Sequence, residues 1–421
     1  MTTRWPRALA SATKLPAKTS VRALAMMAVL AFSSLNLVQA QTYTVLYSFT
    51  GAGDGGNPGS VIADQGGRLY GGTWFDGSFD WGTLFRLDPN GQFTVLHNFT
   101  GGDGLYANSQ PTLHSGTIYG TTYEGGTPEG ATSGRYGDGT IFKLDSTGKQ
   151  TELYGFNAGL NSGGPPGPLT LDDDGNVYGV AGGGSQYAGG IVFKLDTAGN
   201  LTIIHGFNGQ ADGSVPNAGL LRDVAGNIYG TTVLGGNSFY NMGCGVIFKL
   251  TPTGEETVLY TFNGSDGCQP NSGLTLGKNG SLYGTTTLGG DLSCGSVLGC
   301  GAVYKLDMTG KHTVLHRFTG SPDGDQPYNA PVLDNAGNLY GTTALGGQDC
   351  DVGCGTIFEL DTTGTETVLY RFTGGTDGGF PNAVLLDSAG NLYGSTSYGG
   401  VQSYGCPYNY PGCGVLFKLT P

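Results

Sequence analysis

GNLYGTTALGGQDCDVGCGTIFELDTTGTETVLYRF, residues 337–372, holds three short phrases that recur in the same order along the whole chain. The first is an aromatic-glycine phrase, here Leu339-Tyr340-Gly341, with copies around Tyr70, Tyr119, Tyr178, Tyr229, Tyr283 and Tyr393. The second, TIFELD, returns as TLFRLD, TIFKLD, IVFKLD, VIFKLT, AVYKLD and VLFKLT. The third, TVLYRF, returns as TVLYSF, TVLHNF, TELYGF, TIIHGF, TVLYTF and TVLHRF. Successive tyrosines of the first phrase stand 49 to 59 residues apart. A period of about 50 residues filled only by strand-like phrases predicts a β-propeller. The expectation is an all-β ring of seven blades, each of four antiparallel strands.

In the fourth unit the strands are read as A (residues 220–223), B (227–232), C (246–250) and D (257–262). Side chains alternate along a strand, so Val258, Tyr260 and Phe262 are expected on one face of D. The chain opens on a D phrase, Thr44 to Phe49, and closes on a C phrase, Val415 to Leu419. The first strand therefore completes the last blade as its outer strand. Length varies mainly in the B to C and D to A connections, which leave an antiparallel blade on one face, where binding loops are expected.

Glycine and proline number 80 and 19 of 421 residues, at fixed places in the repeat. They mark turns, such as Asp145-Ser146-Thr147-Gly148 between C and D, in which Asp caps and Gly takes positive φ. Asp172-Asp173-Asp174-Gly175-Asn176 is read as another such turn, because no acidic residue closes a calcium loop at the required distance. Residues 1–40 carry five basic and no acidic residues, an apolar run from Ala23, and Val38-Gln39-Ala40. That pattern predicts a signal peptide, with residues 41–421 as a single secreted or periplasmic propeller. The remaining chain sets 14 Lys and Arg against 32 Asp and Glu. Such acidity argues against nucleic acid and anionic lipid as partners. No later segment is long and apolar enough for a membrane span.

Eight cysteines in an exported chain predict four disulfides. Cys244, Cys300, Cys354 and Cys413 share one aligned site at the start of strand C. Cys294, Cys350 and Cys406 precede three of these in the same loop, which pairs Cys294 with Cys300, Cys350 with Cys354 and Cys406 with Cys413. Cys268 lies just past strand D of the unit holding Cys244, so those two pair. Without Cys-x-x-Cys spacing or accompanying histidines, a metal role for these thiols is not expected.

His97, His205 and His316 occupy the strand D position held by Tyr47, Tyr154, Tyr260 and Tyr370, so they read as packing residues. His312 reads as a turn residue, and His114 as a strand A residue near the axis. Asp-Gly phrases at Asp54, Asp103, Asp212, Asp266, Asp323 and Asp377 precede strand A. They serve either a turn or, with Asn217, Asn271, Asn329 and Asn382, an axial ring for a cation or sugar. No nucleophile elbow, phosphate loop or His/carboxylate metal motif is present, so no catalytic residue, cofactor or metal is assigned. The distinctive loop residues are aromatic: Trp74, Phe75, Phe79 and Trp81 in the first unit, Tyr123 and Tyr136 in the second, and Tyr398, Tyr404, Tyr408 and Tyr410 in the seventh. Ring closure predicts that these meet in one sector, with Trp74, Phe75, Trp81, Tyr404, Tyr408 and Tyr410 as the ligand-binding candidates.

Gly-Asn-Leu-Tyr-Gly-Thr-Thr at 337–343, Gly-Cys-Gly-Thr-Ile-Phe at 353–358 and Thr-Val-Leu-Tyr-Arg-Phe at 367–372 resemble the GloVer tandem repeat of bacterial exported proteins grouped as choice-of-anchor. The resemblance spans residues 41–421 and implies the repeat architecture and export, with no particular reaction. The function expected is an extracellular binding or scaffold module for a glycan or protein. The alternative is a glycan-acting hydrolase or lyase using Asp76, Asp80, Glu124 or Glu129.

Overall fold

Seven small antiparallel sheets follow one another along the chain, and no helix occurs among the described residues. The computed structural model describes residues 41–107, 109–126, 137–145, 148–156, 165–182, 187–236, 242–294, 296, 298–347, 354–402, 406 and 412–420. The fourth blade is typical, with strands Leu221–Arg222, Ile228–Thr232, Val246–Leu250 and Glu256–Thr261 in the order A, B, C, D. Strand A is short because a proline and a break interrupt it. In the first and seventh blades it appears as two pieces that both pair with strand B. Thr42–Ser48 pairs antiparallel with Val415–Thr420, so the first strand closes the last blade as expected.

The repeated phrases are explained by one packing unit. Gly341 in strand B lies opposite Phe358 in strand C, and a Cβ there would stand 2.6 Å from the Phe358 ring. The other Tyr-Gly copies are filled in the same way. The ring thus held meets, edge to face, the phenylalanine that ends strand D of the preceding blade. Phe207 and Phe248 have centroids 5.2 Å apart, Phe318 and Phe358 5.2 Å, and the closing pairs Phe372–Phe417 and Phe49–Phe85 lie at 5.4 and 5.2 Å. All these rings are fully buried. Each seam therefore repeats the same contact, worth about 0.5–1.5 kcal/mol beyond area burial.

Strand D departs from the expected alternation. In every blade its pairing with C shifts by one residue, leaving an aliphatic bulge: Leu259 in the fourth blade, with Leu46, Leu96, Leu153, Ile204, Leu315 and Leu369 in the others. Val258 and Tyr260 consequently face opposite ways, and Val258 is 37% exposed. An inserted residue reverses the faces beyond it.

The bulge aims the fifth residue of D at the next blade. Tyr47 stacks on Phe93 at 4.0 Å, Tyr260 on His312 at 4.0 Å, and Tyr370 on Tyr43 at 4.1 Å. His312 thus opens strand D, among Tyr260, Phe262 and Tyr304, instead of lying in a turn. Burial lowers its pKa. Where His replaces the tyrosine, the residue opening the next D strand is Gln150, Glu256 or Glu366. His97, His205 and His316 do fill the aromatic position, packing edge-on against Phe99, Phe207 and Phe318.

Cys244–Cys268, Cys294–Cys300 and Cys406–Cys413 are bonded as expected. Cys354 is also in a disulfide, while its expected partner Cys350 lies outside the described residues. Cys244 and Cys268 have Cα atoms 4.4 Å apart because Gln269 donates its backbone N–H to the Cys244 carbonyl across the seam.

Two predictions follow from this packing. Tyr304 replaces the strand C phenylalanine in the fifth blade, and its buried hydroxyl has no partner. Tyr304→Phe should therefore raise stability by about 1–2 kcal/mol in denaturant unfolding, since the orphaned group costs that much; a loss would contradict it. Deleting residues 41–50 exposes Val415–Thr420 as an edge and removes the Phe49–Phe85 seam. Melting should fall by at least ten degrees, on the order of several kcal/mol, whereas an unchanged melt would show that closure contributes nothing.

Candidate functional site

The D to A and B to C connections share one face, tied together by bridges between Leu105 and Glu124, Ser214 and Leu234, Cys268 and Leu288, and Asp325 and Leu345. Within the D to A turn each Asp has a local task. Asp54 accepts hydrogen bonds from the Thr50 N–H at 2.9 Å and the Tyr47 hydroxyl at 2.8 Å. Asp103 and Asp323 likewise accept from Thr100 and Thr319 and bond His97 and His316, and Asp377 binds Thr373 and Tyr370. The Asp-Gly phrases are thus turn caps, not an axial ring of carboxylates. Asp172 is a turn cap of the other family, bonded to Asp174, Asn176 and Tyr178.

Two residues past each Asp-Gly stands a residue in the left-handed region: Asn57, Tyr106, Val215, Gln269, Gln326 and Phe380, with φ between 54° and 65°. Each donates its N–H to a carbonyl beside the start of strand C in the preceding blade, as Gln326 does to Cys300 and Phe380 to Cys354. The seam requires the conformation, and glycine would supply it without strain. Six non-glycine side chains of five kinds stand there instead. Val215, β-branched and 44% exposed, is the most strained of them. Val215→Gly should raise stability by about 1 kcal/mol in urea unfolding; destabilisation would mean that the side chain packs usefully.

The axis encloses a cavity of about 720 Å³. Its polar lining includes the amides of Gln110, Asn217, Asn271, Asn329 and Asn382 and the hydroxyls of Ser60, Ser109, Thr112, Thr170 and Thr275, with no charged or imidazole side chain among the lining residues. The four asparagines do ring the axis. They are partly engaged in joining blades: Asn217 donates to Asn271 at 2.7 Å, and Asn382 to the Pro58 carbonyl at 2.8 Å. His114 ends its strand beyond this lining.

Among the aromatic candidates, Trp74 stacks on Tyr106 at 5.2 Å and lies 5.7 Å from Tyr123, while Phe75 and Trp81 meet Tyr106 edge-on at 5.7 and 6.2 Å. The rings are half-buried except Tyr123, which is 45% exposed. Tyr106, the centre of the group, escaped the sequence reading; its signal was its place two residues after Asp103-Gly104. Tyr398 packs on Phe380 of its own blade and donates to Cys354 Sγ at the start of strand C in the sixth blade. Tyr404, Tyr408, Tyr410 and Tyr136 lie outside the described residues. The first and seventh loops are neighbours all the same, since a Cβ on Gly56 would lie 2.4 Å from Asp76 Oδ2 and 3.3 Å from Cys413 Cβ.

Of the candidate carboxylates, Asp76 is half-buried, and burial together with Asp80 and Asp54 pushes its pKa up to about 6. Glu124 is exposed, with its backbone paired to Leu105. Glu129 lies outside the described residues. Two groups that show no motif in sequence are assembled by the seams: His205 with Asp212 and Glu256, and His316 with Asp323 and Glu366, each with ligand atoms within 4.8 Å of one another.

Residues 32–241, 129–298 and 293–421 match the model of the Gloeobacter/Verrucomicrobia repeat, and the chain belongs to that family. No curated protein matches it. Among solved structures, PorZ, a surface component of the type-IX secretion system of Porphyromonas gingivalis, is similar at 12% identity and a TM-score of 0.52, over 89% of this chain and 47% of that one. At this identity the likeness concerns the fold alone. A gluconolactonase of Xanthomonas campestris is similar at 13% identity and a TM-score of 0.44, over 91% of this chain and 90% of that one. A luciferin-regenerating enzyme is similar at 12% identity and 0.44, over 91% and 96%.

Proposed function

We propose that this member of the Gloeobacter/Verrucomicrobia repeat family is an exported, non-enzymatic binding module whose variable face takes a neutral glycan. Residues 1–40 serve as its removable leader, in keeping with the disulfides of residues 41–421. Among the described residues no helix is long and apolar enough to cross a membrane.

The observation that carries this reading is the uncharged axial cavity. Amides and hydroxyls facing one space suit a ligand that both donates and accepts hydrogen bonds without charge, and a sugar does so. Among the described residues no carboxylate, imidazole, thiol or amine lines the cavity, and burial holds the Tyr328 hydroxyl protonated, which favours binding over turnover there. Trp74, Phe75 and Trp81, with Tyr106 and Tyr123, supply the flat apolar surface on which sugar rings stack. Tyr404, Tyr408 and Tyr410 extend this platform in the proposal.

One observation favours a second reading, a glycan hydrolase or lyase. Asp76 keeps its proton close to neutral pH beside Trp74 and Phe75, as a general acid requires.

Residues 41–421, purified, should bind neutral oligosaccharides on a glycan array in preference to acidic ones, with no shortened product by mass spectrometry. Tyr123→Ala should weaken binding about tenfold and Asn271→Ala should abolish it, with melting little changed for the exposed tyrosine. Binding confined to acidic glycans, or insensitive to both changes, contradicts the reading. Product formation lost in Asp76→Asn would establish the enzymatic alternative.

A further inference from the structure

Five of the six D to A aspartates bond both the turn and the strand D ring before it; Asp212 bonds only the turn. It accepts from the Asn208 N–H at 2.9 Å, while its Oδ1, His205 Nε2 and Glu256 Oε1 are all screened from solvent and without a hydrogen-bond partner. Three orphaned buried polar atoms around one point are costly, at about 1–3 kcal/mol each. His205 Nε2 and Glu256 Oε2 stand 3.7 Å apart, close to the roughly 3.4 Å that separates two ligands held tetrahedrally at about 2.1 Å from a shared ion.

The imidazole is already set for such a role. His205 Nε2 is screened from solvent and has no hydrogen-bond partner, and the Gly254 backbone lies beside the ring. A neutral imidazole protonated on Nδ1 presents a lone pair at Nε2, the form in which histidine binds a metal.

The seam pattern points the same way. Where strand D offers tyrosine, the facing residue is aromatic in the stacked seams, and glutamate faces only histidine. The set recurs as His316, Asp323 and Glu366, where a 3.3 Å His316–Asp323 hydrogen bond already joins two members and Glu366 Oε1 is the orphan.

We infer that His205, Asp212 and Glu256 form a divalent metal site of the zinc class that clamps the third blade to the fourth, with His316, Asp323 and Glu366 as its counterpart between the fifth and sixth. One imidazole and two carboxylates leave a coordination position open for water.

The test titrates metal-stripped protein with zinc chloride by calorimetry and follows melting, beside the double variant His205→Tyr, Glu256→Phe. That variant installs the Tyr47–Phe93 pair of another seam, so the blades still pack and Asp212 gains a hydroxyl donor. The expected result is zinc binding by the parent, a melting temperature raised by several degrees at saturation, and one site fewer in the double variant. Should the variant misfold, Glu256→Gln keeps the shape and should weaken zinc binding at this seam by more than about tenfold. No zinc uptake by the parent, or unchanged stoichiometry and affinity in the variants, overturns the assignment and leaves a proton shared between Glu256 and its neighbours as the account of the cluster.

Discussion

The edge-to-face contact between the phenylalanine ending strand D of one blade and the aromatic ring in strand C of the next is the interaction on which the rest of the ring depends. Its geometry fixes the blade spacing, and it exists only because strand B carries glycine beneath the ring, as Gly341 does under Phe358. A side chain at that glycine would have to displace a fully buried ring. The three repeated phrases therefore describe one object: the platform glycine, the ring upon it, and the ring that meets it from the neighbouring blade. The closing seams use the same parts, with Phe49 and Phe417 coming from opposite ends of the chain.

With the inner seams uniform, difference between blades is confined to two places. One is the outer seam, where the bulge at Leu259 and its equivalents aims Tyr260 or its counterparts at the next blade. Stacked rings there are self-sufficient. His205 facing Glu256 is not, because imidazole and carboxylate at 3.7 Å are too far apart to satisfy each other directly and too enclosed for water to do so freely. The other place is the loop face, where six left-handed positions hold six non-glycine residues above a neutral cavity.

These regions divide the chemistry. The axial cavity has hydrogen-bonding groups and no charged side chain among its described lining residues. The titratable groups of unusual character, Asp76, Glu256 and Glu366, are all raised first by burial and sit at seams or loop bases away from the axial lining. The propeller therefore sets an uncharged axial cavity apart from a rim whose seams are held by different means from blade to blade.

Blade number, strand order, ring closure and the Cys244–Cys268 bond were legible in the sequence because repeats align positions, and aligned positions in a ring are neighbours at a known spacing. Even so, alternation along strand D misplaced Val258, since a one-residue bulge leaves no mark on composition. His312 was misread as a turn residue for want of its partner: nothing local says that it faces Tyr260 of another blade. Tyr106 was hidden because its left-handed backbone, not its neighbours in sequence, presents it to Trp74. The ligand groups His205, Asp212 and Glu256 belong to two different repeats, and each alone looks like a packing residue, a turn cap or a solvated charge. Sequence by itself determined the repeating contacts, which are local to a phrase or fixed by its period. Only the tertiary structure decided which side chains were left unpaired, because partnership across a seam depends on the bulge, the twist and the neighbouring blade together.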